Sequence, residues 1–423
     1  MKPYFLITLA VAVLLTGCGA LPQASDSEKS VTARSNPGGE FGWPHGIRPG
    51  QRLTVENCVA LALWNQPEYQ AALADLGVAR GEIVRAGQIA NPSLAMFFPS
   101  QEKALELTAR LPLELLWLRP KRLLVAGVDL EITEQRLTQA GADVARDVRV
   151  AVARVLMVEE QAKWARQSAE LFAGMERIAE TRQKAGDTSE LELVQSRADA
   201  AVATQEHQRL AHEQGIATER LRSLLGMALQ GVELRVGGTG KTLADTPASL
   251  SSGVKEALAS RADVRAAELA VTAAGHRAGL AKAEIFSLTA SAKFTDGAGL
   301  QPGFELPLPI FHQNQAARLA ADAQLTKAMR QLAAARHKAA GETREALSRL
   351  QQARTVASGW STALAELEQA LEKSRKAVAE GDAQPILALD AARRLAEARS
   401  KAAESRFRQA EAAAELHRAL GKT

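Results

Sequence analysis

The segment that decides the fold runs from Ser287 to Gln315 and reads SLTASAKFTDGAGLQPGFELPLPIFHQNQ. Apolar and polar residues alternate along it on both sides of the turn-forming pair Asp296-Gly297. The apolar positions are Leu288, Ala290, Ala292 and Phe294 before the turn, and Phe304, Leu306, Leu308 and Ile310 after it. A period of two around an Asp-Gly turn predicts a β-hairpin with one apolar and one polar face.

The same pattern occurs 195 residues earlier, where Leu111-Pro112-Leu113 corresponds to Leu306-Pro307-Leu308. Leu225-Gly226 and Leu420-Gly421 are related by the same offset. The apolar positions of the earlier hairpin are Leu94, Met96, Phe98, Leu105, Leu107, Ala109, Leu111 and Leu113. Self-similarity at a fixed spacing indicates a duplicated chain. We expect repeat 1 at residues 51–228 with a hairpin at about 92–114, a linker at 229–250, and repeat 2 at residues 251–423 with a hairpin at about 287–311.

Each repeat is expected to contain a helix, the hairpin, a very long helix, a turn and a returning helix. The first helix is predicted from an N-cap at Thr54 to about Gln88. The long helices are predicted at about 121–185 and 314–380, because these segments lack proline and carry apolar residues at coiled-coil spacing. The returning helices are predicted at 188–225 and 384–420, with Asp187 and Asp382 as their N-caps. The fold class is therefore mainly α with a small β part.

The beginning of the chain has the pattern of a processing signal. Lys2 precedes a short apolar run, and Leu15-Thr16-Gly17-Cys18 resembles the lipobox of bacterial lipoproteins, in which the Cys becomes the lipidated first residue. We expect a signal peptide at residues 1–17 and a lipidated tether at 18–50, which is rich in Ser, Gly and Pro. Since Gly rather than Asp follows Cys18, the resemblance implies the outer membrane. The other cysteine, Cys58, is predicted to be a small buried residue of the first helix.

Composition argues against several classes of function. Only 4% of the residues are aromatic and 24% are charged, with a net charge of +4, so no basic patch points to nucleic acid. No two of the seven histidines are three or four residues apart, and no nucleophile motif is present. We therefore expect neither an enzyme nor a bound cofactor or metal.

The sequence also predicts how a membrane would be crossed. No segment after residue 18 is apolar for long enough to span a bilayer as a helix. A spanning segment that is not a helix must belong to a closed barrel, because lipid offers no partner to unpaired backbone groups. Four strands are too few to close one, so the barrel must be shared between chains.

Several motifs together resemble the outer membrane efflux protein family, the TolC-like channels, and in particular the lipoprotein branch that serves tripartite resistance exporters. The motifs are Asn91-Pro92-Ser93, the paired Leu-Pro-Leu strands, Leu308-Pro309-Ile310-Phe311 followed by Asn314, Ala185-Gly186-Asp187 with Leu191 and Leu193, and the Leu-Gly that ends each repeat. The resemblance covers about residues 50–423. It implies a homotrimer with a shared twelve-stranded β-barrel and a helical α-barrel that extends into the periplasm.

The resemblance also implies partners and site residues. The turns at Gly186, Asp187, Gly381 and Asp382 would dock a periplasmic adaptor protein, which connects the channel to an inner-membrane pump of the resistance-nodulation-division type. The strand residues that would face outer-membrane lipid are Leu107, Leu111, Leu113, Phe294, Phe304, Leu306 and Leu308. Cys18 would carry the palmitate-containing anchor. The function implied is a passive exit duct for small toxic solutes, either drugs or metal ions.

In this family, carboxylates early in the returning helix of the second repeat narrow the periplasmic end, and the matching position is Asp390. Its repeat partner is the neutral Gln195, and a second family carboxylate is replaced by Leu387. Three copies of Asp390 would form an anionic ring that favours cations. The alternative is a solvated helix residue paired with Arg393 or Arg394. Two alternative functions also stay open, the channel of a type I protein secretion system and a periplasmic structural lipoprotein that forms no channel.

Overall fold

The computed structural model describes residues 40–99, 104–237, 247, 249–380 and 382–422. It is mainly helical with one small sheet, as the sequence predicts. Repeat 1 contains α1 (Val55–Asn65), α2 (Pro67–Gly87), β1 (Ser93–Phe97), β2 (Glu106–Pro112), α3 (Leu115–Lys184) and α4 (Glu190–Leu224). Repeat 2 contains α5 (Leu250–Ser260), α6 (Ala262–Ala283), β3 (Thr289–Thr295), β4 (Gly299–Glu305), α7 (Gln315–Glu380) and α8 (Pro385–Ala419).

The elements of the two repeats are related by the offset found in the sequence. Adding 195 residues to the bounds of α1 gives those of α5, and adding 195 to the bounds of α4 gives those of α8. The same tight ending closes both returning helices, because Gly226 and Gly421 have positive φ angles of 70° and 72°. The backbone N–H groups of Met227 and Lys422 then donate to carbonyl oxygens five residues back. The duplication is therefore confirmed at the level of individual turns.

The first helix of each repeat is broken, which the sequence analysis did not predict. Thr54 is the N-cap of α1, as expected, and its hydroxyl accepts from the backbone N–H of Asn57. The expected helix to Gln88 is nevertheless wrong, because Gln66 is extended with ψ 118° before Pro67 starts α2. Repeat 2 breaks at the equivalent Arg261, with ψ 127°, although no proline follows. Tertiary contacts must therefore contribute to the break.

The glycine that ends each repeat lies against this break. A Cβ added to Gly226 would lie 2.6 Å from the carbonyl oxygen of Asn65, and one added to Gly421 would lie 2.9 Å from that of Ser260. Ser260 also donates its hydroxyl to the carbonyl of Leu420 over 2.6 Å. Only glycine combines a left-handed backbone with so close an approach. The Leu-Gly motif therefore joins the end of each repeat to its beginning.

The long helices are close to their predicted positions. Helix α3 has 70 residues, or about 105 Å at 1.5 Å per residue, and α7 has 66 residues. Helix α3 begins at Leu115 rather than Lys121, so that Pro120 lies within its second turn. A proline this near the start removes one backbone hydrogen bond without ending the helix.

The described residues form two compact units. The hairpin unit comprises residues 72–137 and 263–335 and holds the four strands. Its helices pack through small clusters, one built from Ile132, Leu269 and Ala273 and another from Ala278, Ala281 and Ala321. The helical unit comprises residues 40–71, 138–262 and 336–422.

The helical unit has one apolar core for each repeat. In repeat 1, Val148, Val152 and Val155 of α3 pack with Cys58, Leu61, Leu221, Leu225 and Met227, which confirms the predicted apolar spacing of the long helix and the buried Cys58. In repeat 2 the equivalent core consists largely of alanine and leucine, namely Ala257, Ala346, Leu347, Leu350, Ala412, Leu416, Ala419 and Leu420. Small side chains let the helices approach closely, as the low aromatic content indicates.

Two segments expected to be connections also pack on the first core. The aromatic rings of Phe41 and Trp43 meet edge to face at 5.4 Å, and Ile47 is buried. Val236 forms a parallel bridge with Leu53, and both are buried. The packed part of the chain thus begins before residue 50, and the described start of the linker belongs to the helical unit. The signal peptide, Cys18 and the first part of the tether lie outside the described residues.

Candidate functional site

The strands form one antiparallel sheet in the order β1-β2-β3-β4, which joins the two hairpins edge to edge through β2 and β3. Leu107 lies opposite Phe294, and Phe294 lies opposite Leu300. Since paired residues of adjacent strands share a face, the apolar residues form one continuous surface. It consists of Leu94, Met96, Leu107, Ala109, Leu111, Ala290, Ala292, Phe294, Leu300, Pro302 and Phe304.

The opposite face of the sheet is mainly polar, although Ala95 and Phe97 of β1 also lie on it. It includes Thr108, Arg110, Ser291, Gln301 and Glu305. The ammonium of Lys293 lies 3.0 Å from the carboxylate of Glu106, so two charges of this face neutralise each other across β2 and β3. The sheet therefore separates an apolar from a polar environment, as the alternation predicts.

The fourth strand differs from the prediction. The alternating run from Phe304 to Ile310 suggested a strand there, but β4 ends at Glu305. Residues Asp296–Ala298 connect β3 to β4, so that Thr295 lies opposite Gly299. Gly297 and Gly299 have positive φ angles of 84° and 81°, which allow this tight turn.

Four of the seven residues expected to face lipid therefore lie on the apolar face within strands: Leu107, Leu111, Phe294 and Phe304. Leu113 directly follows β2, and its backbone N–H donates to the carbonyl of Leu288 over 2.6 Å. Leu306 and Leu308 are exposed beyond the end of β4, because Pro307 and Pro309 supply no donor that could extend the strand pairing.

The edges of the sheet are built for further pairing. In antiparallel pairs, hydrogen-bonded and non-hydrogen-bonded positions alternate. The bonds from Leu113 N–H to Leu288 O and from Asp296 N–H to Leu105 O fix this alternation for β2 and β3. It follows that β1 directs the backbone groups of Leu94 and Met96 outward, and that β4 does so with Leu300, Pro302 and Phe304.

Pro302 fits this arrangement, because its missing N–H lies at the outer edge, where proline is tolerated. Within the part of the chain that the structure describes, no strand pairs with the outer edges of β1 and β4. None of the described helices is both long enough and apolar enough to cross a membrane.

At the other end of the long helices, α3 stops in a tight turn. Gly186 has a φ of 82°, and the backbone N–H of Asp187 donates to the carbonyl of Arg182 over 2.8 Å. The expectation that Asp187 and Asp382 are N-caps is wrong. Ser189 caps α4 by accepting from the N–H of Glu192, while Gln384 precedes α8 without a side-chain cap. Ser189, two residues after Asp187, takes the N-cap position, because Asp187 still belongs to the turn that ends α3.

The turn residues Gly186, Asp187 and Asp382 are exposed, and Gly381 lies outside the described residues. Large apolar side chains next to them are also exposed: Leu191, Val194, Ile386 and Leu387. Leu191 is one of the motif residues of the resemblance, but sequence reasoning did not predict that this apolar group is exposed, although the spacing of Leu191 and Val194 places both on one helix face. Gln195, on the same stretch of α4, is exposed as well.

Asp390 is paired with arginines of its own helix. Its carboxylate lies 2.8 Å from the guanidinium of Arg393 and 2.8 Å from that of Arg394. The hydrogen bond from Arg393 is the main cause that lowers the pKa of Asp390 below its usual value, and Arg394 adds to it. Arg393 is shared with Glu397 at 2.7 Å. Within one chain, the carboxylate of Asp390 is therefore paired with two arginines and is not a bare charge.

Among the described residues, no group of three or more His, Cys, Asp or Glu side chains has an arrangement that could hold a metal ion. Asn314 has the only positive φ among the described non-glycine residues, 57°, and its amide donates to the carbonyl of Ala281 over 2.9 Å. This contact positions the start of α7 against the end of α6 below the sheet strands of the hairpin unit. It explains the Asn that follows the second hairpin in the sequence.

Comparison with known proteins matches the second repeat to a family model and the whole chain to solved structures of similar fold. None of the curated protein sequences matches this chain significantly. Residues 253–422 match the family model described as outer membrane efflux protein.

The solved structures with a similar fold include CusC, VceC and CmeC. The chain matches CusC with a TM-score of 0.70 and 19% identity over 91% of this chain and 99% of that one. It matches the outer membrane protein VceC of Vibrio cholerae with a TM-score of 0.68 and 18% identity over 87% and 96% of the two chains. For the CmeC outer membrane channel of Campylobacter jejuni the TM-score is 0.71, with 16% identity over 91% of each chain. The chain thus has the TolC-like fold, and its second repeat carries the sequence signature of the outer membrane efflux protein family.

Proposed function

We propose that this protein is the outer-membrane channel of a tripartite efflux system, a passive exit duct for small toxic solutes. The observation that carries the proposal is the sheet, which is apolar on one face, polar on the other and open at both edges. The family match and the fold support the same conclusion.

A closed barrel built from this sheet requires several copies of the chain. An apolar face of four strands is suited to lipid, but lipid offers no partner to the backbone groups at the two open edges. Four strands cannot enclose a lumen, since membrane barrels begin at about eight strands. Three chains with four strands each give a closed barrel of twelve strands, in which the polar face with Lys293 and Glu106 lines a water-filled path. The protein is therefore proposed to act as a homotrimer without catalysis.

The N-terminus and the turns that follow the long helices have separate roles in this proposal. Cys18 carries the lipid anchor after removal of residues 1–17, which places the protein in the outer membrane of a Gram-negative bacterium. The turns at Gly186-Asp187 and Gly381-Asp382 dock a periplasmic adaptor, which links the channel to an inner-membrane pump of the resistance-nodulation-division type. The exposed apolar side chains Leu191, Val194, Ile386 and Leu387 support a contact there, because clustered exposed apolar residues mark interaction sites.

The first test compares two arginine substitutions in β3 of the full-length, lipidated protein. Ala292→Arg places a charge in the middle of the apolar face, whereas Thr295→Arg places one on the polar face opposite Glu106. An arginine at the lipid-facing midplane costs about 2–4 kcal/mol. We expect wild type and Thr295→Arg to be extracted from outer membranes by detergent as trimers that conduct ions in planar bilayers. Ala292→Arg should yield neither.

The outcome that contradicts the proposal is equally specific. A Cys18→Ser protein that is released from cells without detergent as a monomer, and that forms no conducting pores, would favour a structural lipoprotein without a channel. Equal trimer yields from the two arginine variants would show that the apolar face does not meet lipid.

We propose further that the Asp390 ring is electrostatically weak, because Arg393 and Arg394 compensate the carboxylate. Asp390→Asn should therefore change the ratio of cation to anion permeability less than twofold in bilayer reversal-potential measurements. Arg393→Ala combined with Arg394→Ala should increase cation preference, since the carboxylates are then unpaired. A large loss of cation preference in Asp390→Asn alone would contradict the pairing.

A further inference from the structure

All the charged residues of the four strands lie on the polar face of the sheet. They are Glu106 and Arg110 of β2, Lys293 of β3 and Glu305 of β4, whereas β1 has none. Lys293 and Glu106 neutralise each other at 3.0 Å. Arg110 and Glu305 are therefore the charges of this face that the pair leaves over.

The side chains of Arg110 and Glu305 are both exposed, and among the described residues neither takes part in an ion pair. Arg110 lies directly opposite Ser93 of β1 and Ser291 of β3. Glu305 lies opposite Thr289 at the end of β4. Across the strands, each charge thus has short hydroxyl side chains as neighbours, and these do not compensate it.

The two residues occupy the same position of the duplicated chain. Glu305 lies 195 residues after Arg110, so the repeats place opposite charges at equivalent positions of β4 and β2. Arg110 is opposite Ser291, which is opposite Gly303, two residues before Glu305. With strands about 4.8 Å apart and about 3.4 Å per residue, the Cα atoms of the two charged residues are about 12 Å apart. The charges therefore influence each other through their field and not through contact.

We propose that Arg110 and Glu305 are opposed specificity determinants of the lumen, and that their balance keeps this part of the duct from selecting solutes by the sign of their charge. This inference rests on the proposed twelve-stranded barrel, whose polar face lines the lumen. Because each copy has the strand order β1-β2-β3-β4, strands β2 and β4 alternate around the barrel. Three guanidinium groups then alternate with three carboxylates.

This arrangement suits small solutes of either charge, including those that carry both. Guanidinium groups attract carboxylate and phosphate groups, and carboxylates attract amines. Rings of one sign make a pore selective for ions of the other sign. Two opposed sets of equal number leave no net charge to do so, and the removal of one set should create the selectivity that wild type lacks here.

The distance between the two sets makes the balance sensitive to salt. The Debye length is about 30 Å at 0.01 M, about 10 Å at 0.1 M and about 3 Å at 1 M ionic strength. At low salt the field of each charge reaches its neighbours, so the loss of one set leaves the other uncompensated. At high salt each charge is screened separately, and its loss should have little effect.

The experiment removes each set of charges in full-length, lipidated trimers reconstituted in planar bilayers. Arg110→Thr removes the guanidinium groups and keeps a residue that favours strands. Glu305→Gln removes the carboxylates, and a double variant removes both. Arg110→Lys keeps the charge as a control. Reversal potentials in salt gradients give the ratio of cation to anion permeability.

We expect Arg110→Thr to raise this ratio and Glu305→Gln to lower it, each by about twofold or more near 0.01 M salt and by much less near 1 M. The double variant and Arg110→Lys should both have the wild-type ratio. If Arg110→Thr does not assemble, the direction and salt dependence of the shift in Glu305→Gln decide.

Conducting trimers in which the single variants keep the wild-type ratio, or shift it in the same direction, would overturn the charge balance and leave the channel proposal standing. A double variant that differs from wild type as much as the single variants do would overturn it as well. Wild-type protein that forms no conducting trimer would overturn both proposals.

Discussion

Gly226 shows how a single residue holds the two ends of a repeat together. Gly226→Ala requires a left-handed backbone at φ 70° and places a methyl group 2.6 Å from the Asn65 carbonyl oxygen. The backbone penalty alone is about 1 kcal/mol, and the close approach adds to it. Gly186→Ala is the matched control, because its φ is 82° but no atom lies within 4 Å. Thermal unfolding followed by circular dichroism should give a lower midpoint for Gly226→Ala, and equal midpoints would refute this explanation.

Cys58 makes stability depend on pH in the alkaline range. Burial raises the pKa of its thiol from 9.0 to about 12, and the charge of Glu56 adds to this effect. Since the folded-state pKa is raised, the contribution to stability is fully present below about pH 9 and is lost as the pH rises towards 12. Over that window the free energy of unfolding should fall by up to about 1.4 kcal/mol per pH unit.

The measurement compares wild type with Cys58→Ala in urea unfolding at pH 8 and pH 10. The variant lacks the thiol, so its free energy of unfolding should fall less between the two pH values. Parallel losses in the two proteins would show that other groups account for the whole dependence. The wild-type thiol should also stay unreactive towards maleimide at pH 8 until the protein is unfolded.

At the scale of elements, the break between α1 and α2 tests whether proline or packing sets a helix boundary. Pro67→Ala should keep the break, because repeat 2 makes the same break between Arg261 and Ala262 without proline. We expect a change in helix content too small to measure by circular dichroism and a loss of stability within about 1 kcal/mol. A rise in helix content that corresponds to a fused α1–α2 helix would show that Pro67 is required.

The elements also show where sequence patterns stop being sufficient. The alternation from Phe304 to Ile310 is as regular as that from Leu288 to Phe294, yet only the latter run forms most of a strand. Strand pairing depends on the turn geometry at Gly297 and Gly299. It also needs backbone N–H donors, which proline lacks, and the alternation of apolar and polar side chains does not show this loss. The break at Arg261 has no local signal at all, because it follows from the approach of Gly421 in space.

The whole molecule was predictable to a greater extent, because one constant offset of 195 residues relates the two repeats. Two weakly informative hairpins at the same spacing define an architecture that neither defines alone. The site was predictable in part, since the apolar face follows from alternation. The pairing of Asp390 with Arg393 or Arg394 was one of two alternatives that the sequence left open, and the helix geometry decides between them. The exposure of the apolar residues near the turns, such as Leu191, was missed because the sequence does not show which face of α4 is covered.

The charged cluster that ties the repeats together gives a prediction at the same scale. Glu342 of α7 lies 2.8 Å from Arg261, whose side chain is 1% exposed, and 3.3 Å from Arg418, which also binds Asp143 of repeat 1. Glu342→Gln should therefore lower the free energy of unfolding by about 2 kcal/mol, less than for a fully buried pair because the Glu342 side chain is 26% exposed.

The control is Glu345→Gln, one turn further along α7, where the carboxylate pairs with Arg349 on the surface. An exposed pair of this kind contributes at most about 0.5 kcal/mol. Urea unfolding measures the free energy of unfolding of both variants. Similar decreases in Glu342→Gln and Glu345→Gln would mean that the charged cluster does not hold the repeats together.

Pro302 also has a consequence for the chain before it assembles. A newly exported copy presents two strand edges to water, and such edges are templates for uncontrolled stacking into fibrils. Because Pro302 removes a donor from the outer edge of β4 and β1 is only five residues long, neither edge supports a long, regular ladder. In the proposed trimer each sheet would pair with two identical neighbours, and the irregular edges oppose the growth of longer polymers.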